Sequence, residues 1–470
     1  MPRFIALAAL LATSVILGFT IAVNGGWVAA SLTATITLAA ALLTCYLTIA
    51  RTAFSVPFAY LAILGVFHLG FVLQLSIWPD GTEWPTWLYA ETLRDSLILC
   101  AVAFACYGWG VLAFGSLHGP LQTTKRVYAE STALAWAGAV LAGVGLLSLY
   151  AGMARLGIWT GSYAESYTTR LDQDPRLFGI GILALKMGFI AWAIAAPPRW
   201  ALPIVGVFFV AAAPLLMAGF RGPVIVTAIP MLIILHRVRP VPARVIGAVC
   251  IAAAMVVMPA VRLVRSTADM PFVEAVRQAE WLGLFAEAGG SIRPLVETHR
   301  LLSDDVESYW YGQSYLMALM RVVPNVGVGA EYSIGLGGKL PPNHWLTATV
   351  APHTYRRGGG LGFSGVAEPY LNFGVAGILL FFLAMGYALA QGERLSLRSP
   401  FYASVFMVAT SALLWTARND FMEVFRLSAW FAVVCVLVAL AEYVLRRPSR
   451  RKVVGKNPVG AEHLLRPVAR

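Results

Sequence analysis

The chain of 470 residues is 59% hydrophobic, only 12% of its residues are charged, and its formal net charge is +12. The charged fraction is about half that of an average soluble domain, and the apolar residues form long blocks close to the ~20 residues that a membrane helix needs. This composition excludes a single soluble domain and predicts an all-α, polytopic integral membrane protein.

The positive charge does not indicate a nucleic-acid partner. Many Lys and Arg residues lie in short loops and in the C-terminal tail, as the positive-inside rule expects, whereas nucleic-acid binding needs a basic stripe on a soluble face. The cysteines all lie inside apolar runs, without C-x-x-C or His/Cys metal spacing, at Cys45, Cys100, Cys106, Cys250 and Cys435. We therefore expect no nucleic acid, no disulfide framework and no metal site.

In chain order, windows of apolar residues predict about twelve membrane spans. The first is too long for the apolar region of a signal peptide, and no clear cleavage site follows it. The predicted spans are Phe4–Val23, Trp27–Ala50, Val56–Ile77, Ser96–Leu117, Thr132–Ala151, Leu177–Ala196, Ala201–Ala218, Pro223–Leu235, Val245–Val264, Pro369–Gln391, Phe401–Trp415 and Phe425–Leu445. The seventh and eighth share one hydrophobic block that is broken at Gly219–Pro223.

The distribution of Lys and Arg among the loops predicts the orientation. Loops 24–26 and 78–87 contain neither residue, whereas the alternate set, with His236–Arg244 and the tail after Leu445, is rich in them. The basic set, and with it both termini, is predicted to be cytoplasmic. The resulting organisation is spans 1–9 over residues 1–264 with an outer loop at 152–176, a long outer loop over 265–368, spans 10–12 over 369–446, and a basic tail over 447–470.

The loop 265–368 is the segment large enough to form a small extramembrane domain. Within it, Pro271–Ala288 predicts an amphipathic helix that lies in the membrane interface. Tyr309–Asn325 predicts a second helix, which Pro324 ends.

Arginines on the outer side of the membrane are the most informative anomaly. Short outer loops should be poor in Lys and Arg, yet arginines lie on or near the outer face at Arg155, Arg170, Arg176, Arg221, Arg262, Arg265, Arg418 and Arg426. Guanidinium groups pair bidentately with phosphate oxygens, so a cavity lined by them would bind an anionic substrate such as a lipid diphosphate. The alternative is that each arginine snorkels to the headgroups or pairs with a nearby acid. The candidate substrate-binding residues of this set are Arg170, Arg262, Arg265 and Arg418.

Among these arginines, Arg221 has the sequence context that points most specifically to an anion site. It lies between two apolar blocks and precedes Gly222 and Pro223, which break the helix and free backbone N–H groups. A helix N-terminus beside an arginine is suited to bind an anion, so Arg221 is a candidate catalytic residue. The alternative is a hairpin turn with one exposed charge.

Two further polar residues lie inside predicted spans. Lys186 is a candidate substrate-binding residue, because an intramembrane lysine is expected to be functional; the alternative is a buried pair with an acid on another span. His68 has no acidic neighbour in its own span and is interpreted as a core histidine with satisfied hydrogen bonds.

The stretch 343–374 holds the densest set of reactive side chains. His353 and Glu368 are the candidate general bases, because each can have a tunable pKa. Arg356 and Arg357 are candidate substrate contacts. Glu368 precedes the tenth span, where the helix dipole favours a carboxylate, so a helix-capping role is its alternative interpretation.

Three segments together resemble the bacterial oligosaccharide repeat-unit polymerases, the O-antigen polymerase (Wzy-type) family. YWYGQSYLMALMRVVPN at 309–325 is similar to the family's Y-x-x-G-x-S/T-Y…P segment. GFSGVAEPYLNFGVAGILL at 362–380 resembles its S-x-x-A-E-x-Y-x-N-F-G-x-x-G entry into a late span, and AGFRGPVI at 218–225 resembles its Arg-Gly helix break. The order of the segments matches, and the Tyr163–Arg170 region of the earlier outer loop also looks like the family.

The resemblance implies an all-helical glycosyltransferase of the lipid-sugar-using (GT-C-like) kind in the bacterial inner membrane. Such enzymes join oligosaccharide units carried on undecaprenyl diphosphate at the outer face, one unit as donor and another as acceptor. Arginines would stabilise the lipid-diphosphate leaving group, Glu368 or His353 would accept the proton of the acceptor hydroxyl, and Tyr370 and Asn372 of the motif would contact substrate. No metal or cofactor is expected, and a polysaccharide chain-length regulator is a possible partner.

Two alternatives stay open. An O-antigen ligase-like enzyme would share the outer loop and the arginines, although the AEPYLNFG segment favours the polymerase. A lipid-linked oligosaccharide flippase or another transporter would be expected to show internal pseudo-symmetry with paired broken helices, and no repeat is visible in the sequence.

Overall fold

A computed structural model describes residues 2–49, 51–77, 85–118, 131–157, 176–218, 220–239, 272–278, 289–323 and 339–445, together with isolated positions between 242 and 263. The long secondary-structure elements of this part of the chain are all helices. The protein is an all-α, multi-pass membrane protein, as its composition predicts.

Ten described helices are long and apolar enough to cross a membrane. They are α1 (Pro2–Ala22), α2 (Trp27–Thr48), α3 (Val56–Ile77), α4 (Ala90–His118), α5 (Thr132–Arg155), α6 (Arg176–Ala195), α7 (Ala201–Met217), α8 (Arg221–Val238), α14 (Ala367–Ser396) and α16 (Met422–Leu445). The predicted seventh and eighth spans are thus separate helices, α7 and α8. The predicted eleventh span is a shorter apolar helix, α15 (Pro400–Trp415).

The predicted ninth span, Val245–Val264, lies almost entirely outside the described residues. So do the basic tail and the second half of the predicted helix Pro271–Ala288, whose first part is α9 (Phe272–Gln278). The prediction of twelve spans therefore stays a prediction.

Four short helices precede α14 and pack over one end of the bundle. They are α10 (Ile292–Ser303), α11 (Gln313–Met320), α12 (Pro342–Val350) and α13 (Pro352–Arg356). The sequence patterns predicted only α11. We call the end of the bundle where these helices lie the site end, and the other the opposite end.

Glycines allow several of the long helices to approach closely. A Cβ at Gly110 of α4 would lie 2.1 Å from the carbonyl oxygen of Leu383 in α14, and one at Gly386 would lie 2.2 Å from that of Tyr107. Such small-residue contacts let membrane helices gain van der Waals contact without a hydrophobic driving force between them. The α4–α14 contact fixes the helix on which the candidate site is built.

Candidate functional site

The last long helix before the C-terminal pair, α14, is broken near its site end. Phe373 (φ −142°, ψ 17°) and Gly374 (φ 61°, ψ −147°) leave the helical conformation, so the predicted span Pro369–Gln391 contains a break close to its start. The conformation of Gly374 is essentially restricted to glycine. A break at membrane depth is tolerated only when other groups satisfy the freed backbone atoms.

A four-residue strap, Tyr309–Gly312, supplies those groups. Its N–H groups donate to the broken helix: Trp310 N to the carbonyl of Leu371 (3.0 Å), Tyr311 N to the carbonyl of Asn372 (3.0 Å), and Gly312 N to Oδ1 of Asn372 (2.9 Å). Tyr311 and Gly312 have φ values of 46° and 89°. The prediction of a helix over Tyr309–Asn325 is therefore wrong in its first turn, because the strap must turn its N–H groups towards α14.

The carboxylate of Glu368 lies beneath the strap and is fully buried. Ser314 Oγ donates to its Oε1 (2.7 Å), and the backbone N–H of Phe421 donates to its Oε2 (2.9 Å). Asn372 Nδ2 donates both to Ser314 Oγ and to the carbonyl of Glu368, each at 2.8 Å. One side chain thus ties together α14, α11 and the connector 416–421.

Glu368 lies in the first turn of α14, as its helix-capping interpretation requires, but another side chain accepts the backbone N–H groups there. Ser364 Oγ accepts the N–H groups of Val366 and Ala367, each at 3.1 Å. The hydroxyl in turn lies 2.6 Å from Nε2 of the buried His68, whose Nδ1 lies 2.8 Å from the carbonyl one turn earlier in α3. Both ring nitrogens have partners, which confirms His68 as a satisfied core histidine.

A second buried carboxylate, Asp420, lies one residue from the N–H group that binds Glu368. Asp420 accepts backbone N–H groups from Asn343 (3.3 Å) and Met422 (3.4 Å), and Asn343 Nδ2 donates to Asn419 Oδ1 (3.1 Å). Burial raises the pKa of Asp420 to about 6, although these N–H groups and the charge of Arg321 oppose the shift. Asp420 is not among the predicted site residues, although a polar Arg-Asn-Asp run between two apolar spans marks its position.

Two predicted arginines belong to this part of the structure: Arg418 lies in the connector itself, and Arg221 precedes Gly222, which packs against Trp415 just before the connector. Arg221 is the first residue of α8 and is only 5% exposed, so the alternative of an exposed hairpin charge is wrong. A Cβ at Gly222 would lie 2.2 Å from the ring of Trp415, which explains the glycine after Arg221. Arg418 is half-buried, and its carbonyl accepts the N–H of Phe363 (2.9 Å).

Other predicted residues lie apart from the Glu368 network. His353, Arg356 and Arg357 are exposed on α13 and at its end, and among the described residues none of them forms a hydrogen bond with Glu368. Arg170, Arg262 and Arg265 lie outside the described residues. Their predicted roles stay predictions.

Lys186, in the middle of α6, lines a recess together with residues of α7 and with Pro223 and Val224 in the first turn of α8. Within the described ranges it has no ion pair or hydrogen bond. The acid whose charge reaches it, Glu423 of α16, is paired with Arg426. The role of Lys186, and its alternative of a buried pair with an acid on another span, therefore stay predictions.

Tyr370 is 7% exposed, and its ring stacks on His299 of α10. Across the described ranges, no group of three His, Cys, Asp or Glu side chains lies together as a metal site would require.

These features define a multi-pass membrane protein with a polar site built on a broken helix and bordered by arginines. A family model, O-antigen polysaccharide polymerase Wzy, matches residues 4–447. The chain belongs to that family, which confirms the resemblance drawn from its motifs. No curated protein and no solved structure matches the chain.

Proposed function

We propose that the protein is a membrane glycosyltransferase that polymerises undecaprenyl-diphosphate-linked oligosaccharide repeat units into a surface polysaccharide. It would act at the outer face of the bacterial inner membrane, with both termini in the cytoplasm and a GT-C-like arrangement of helices. The observation that carries the proposal is the junction of the strap with the broken helix. There, residues of two family-like motifs that are some sixty positions apart in the chain form one hydrogen-bonded unit.

In the proposed reaction, a hydroxyl oxygen of the acceptor glycan forms a bond to the anomeric carbon of the donor glycan. The bond between that carbon and the diphosphate oxygen breaks, and the lipid diphosphate leaves with the electron pair. Arg221 and Arg418 would bind the diphosphate and stabilise the charge that develops on it. Lys186, which lines a recess with the first turn of α8, would add a further positive charge near that turn.

The proton of the acceptor hydroxyl needs a base, and the two candidates differ in access. His353 is exposed and flanked by Arg356 and Arg357, so a glycan hydroxyl can reach it without rearrangement. Glu368 has both oxygens engaged and no exposed surface. We propose His353 as the base and Glu368 as the group that holds Ser314, Asn372 and the connector in place around the substrate.

Deletion of the gene in the native host tests the function. We expect loss of long surface glycan with retention of glycan that carries a single repeat unit. Loss of all surface-attached glycan would point instead to a ligase or a flippase, and normal long glycan would refute the proposal.

Complementation of the deletion strain tests the diphosphate site. Arg221→Ala should abolish polymer while protein level and membrane insertion persist, because the leaving group loses a bidentate partner. Arg155→Ala is the matched control, since Arg155 is an exposed arginine at the end of α5 and should leave polymer length unchanged. Near-normal polymer with Arg221→Ala would remove Arg221 from the site.

A further inference from the structure

A second group of polar and aromatic side chains lies at the site end, outside the Glu368 network. It consists of Asp95 on α4, His299 on α10, Tyr309 of the strap and Tyr370 on α14. Helix α10 packs against both α4 and α14. The rings of His299, Tyr370 and Tyr309 are in contact, and the charge of Asp95 acts on His299 and Tyr370. We call this group the outer aromatic cluster.

The rings of the cluster form a row that leads from the surface into the protein. The His299 and Tyr370 rings are stacked with centroids 5.6 Å apart at 19°, and Tyr309 meets Tyr370 edge-on at 6.4 Å and 82°. Tyr311 continues the row, 6.5 Å from Tyr309, and is 77% exposed. A ligand could therefore approach along Tyr311 and Tyr309 towards Tyr370 and His299.

Two polar atoms of the cluster have unused hydrogen-bonding capacity. Nδ1 of His299 is buried and has no hydrogen-bond partner, which is costly for a polar atom unless a ligand satisfies it. Asp95 uses Oδ1 to bind Arg94, with Nε at 2.9 Å and a terminal nitrogen at 2.8 Å. Its Oδ2 has no hydrogen bond to a described residue.

The charge state of His299 favours an uncharged ligand. Burial lowers the pKa of the imidazole, and the charges of Asp95 and Asp304 offset this only in part. A neutral imidazole presents one donor and one acceptor nitrogen, which suits a hydroxyl group. The carboxylate of Asp95 accepts from hydroxyls and would repel a phosphate.

Aromatic faces beside a few hydrogen-bonding groups are the lining of a site for a small ligand with an apolar face and a polar rim. A sugar ring has both, since its C–H bonds form an apolar face and its hydroxyls donate and accept. We propose that Asp95, His299, Tyr309 and Tyr370 form a subsite for an uncharged sugar of the repeat unit. This rests on the proposed function and adds to it a glycan subsite separate from the diphosphate-binding arginines.

The position of the subsite supports this role. Tyr370 lies two residues after Glu368 and two before Asn372, and Tyr309 begins the strap that bonds to the helix break. A sugar held by the outer aromatic cluster would therefore lie next to the break. Two neighbouring parts of one lipid-linked glycan could then occupy the two subsites.

The test uses the purified full-length protein in detergent and, as probe, the repeat-unit oligosaccharide of the native host released from its lipid. Binding is measured by calorimetry and by saturation-transfer NMR. We expect His299→Ala and Tyr309→Leu each to weaken binding about tenfold, since each removes a ring or a hydrogen-bonding group from the sugar. His299→Asn, which keeps a donor and an acceptor, should recover part of the loss.

Tyr402→Leu is the matched control, because Tyr402 is 60% exposed near the start of α15, at the opposite end. It should bind the probe as the wild type does. Tyr309→Phe, which keeps the ring, is included in case the Tyr309→Leu variant fails to fold. Inorganic pyrophosphate added in excess should not displace the probe.

The subsite would be overturned if His299→Ala and Tyr309→Leu both bound the probe as tightly as the wild type does. The absence of probe binding to the wild type, or displacement of the probe by pyrophosphate, would also overturn it. The proposed function fails by a different result, namely normal long glycan in the deletion strain, so the two failures are distinguishable.

Discussion

The side chain of Glu368 shows how strongly the surroundings of one residue decide its chemistry. A buried carboxylate is costly unless its oxygens are hydrogen-bonded, and both oxygens of Glu368 accept from groups on other elements. Each of its donors is itself fixed, Ser314 by Asn372 and the N–H of Phe421 by the connector. Glu368 therefore organises the site whether or not it exchanges a proton.

Substitution of Glu368 and His353 separates support from proton transfer. Glu368→Gln keeps the shape, but its NH₂ group must face Ser314, whose O–H then loses its acceptor, so we expect about 1–2 kcal/mol less stability and strongly reduced polymer. His353→Ala should melt as the wild type does, because the side chain is exposed, and should lose polymer. Thermal unfolding and glycan length measure the two effects, and full activity of both variants would place the base elsewhere.

Asp420 predicts a pH dependence of stability. Its pKa is raised from 3.8 to about 6 in the folded protein, mainly by burial, so the folded state binds a proton that the unfolded state releases. The contribution to stability is complete below pH 3.8 and is lost as pH rises through about 6.

Asp420→Asn should therefore flatten the decline in thermal midpoint across this window, measured on purified protein in detergent. Asp305→Asn is the control, because Asp305 is exposed and Asn also tolerates its φ of 54°, and it should leave the decline unchanged. An Asp420→Asn profile that parallels the wild type would contradict the prediction.

At the scale of elements, the break in α14 depends on one glycine. Ala at position 374 would adopt φ 61°, ψ −147° at a cost of about 1–3 kcal/mol, and its Cβ would lie 3.2 Å from the hydroxyl of Tyr309. We expect Gly374→Ala to lower the thermal midpoint and to reduce polymer, because the hydrogen bonds between the strap and the broken helix would be distorted. Gly143→Ala on α5, where nothing lies within 4 Å of the added Cβ, should change stability by less than about 1 kcal/mol; equal melting of the two variants would argue against the strain.

The break also shows what the sequence could and could not predict. Hydropathy located the long helices because each apolar run must cover the bilayer on its own, so the signal is local. The break is stabilised by N–H groups of the strap, some sixty residues earlier in the chain, and no local pattern encodes that pairing. Arg221 could be predicted because the Gly-Pro helix break that follows it is a local signal. Asp420 and His299 were not predicted, because the groups that give them a role lie far away in the chain.

At the scale of the whole molecule, α8 and α14 carry charged residues at both of their ends. At the site end these are Arg221 of α8 and Glu368 of α14, which accepts the N–H of Phe421 in the connector 416–421. At the opposite end Arg237 of α8 forms an ion pair with Glu393 of α14, and the two side chains are 11% and 6% exposed. The same two helices are thus joined by an ion pair at the opposite end, and each contributes a proposed site residue at the site end.

Loss of the Arg237–Glu393 pair should therefore lower the stability of the protein without changing the activity of the folded molecules. Arg237 also donates to Ser396 Oγ (3.1 Å), and Glu393 accepts the N–H of Val56 at the start of α3 (3.2 Å). Removing one partner of a buried pair leaves an uncompensated charge and costs about 3–5 kcal/mol. We expect Arg237→Met to lower the thermal midpoint sharply, while polymer formed per folded molecule stays close to that of the wild type.

A double variant tests whether the uncompensated charge is the cause. Adding Glu393→Gln to Arg237→Met removes that charge but keeps an acceptor for the N–H of Val56, so most of the lost stability should return. Arg277→Met is the control, since Arg277 and Glu274 form an exposed pair, 74% and 44% exposed, whose loss should cost less than about 1 kcal/mol. If the double variant melts no higher than Arg237→Met alone, packing of the arginine stem, rather than the charge of Glu393, joins the two helices at the opposite end.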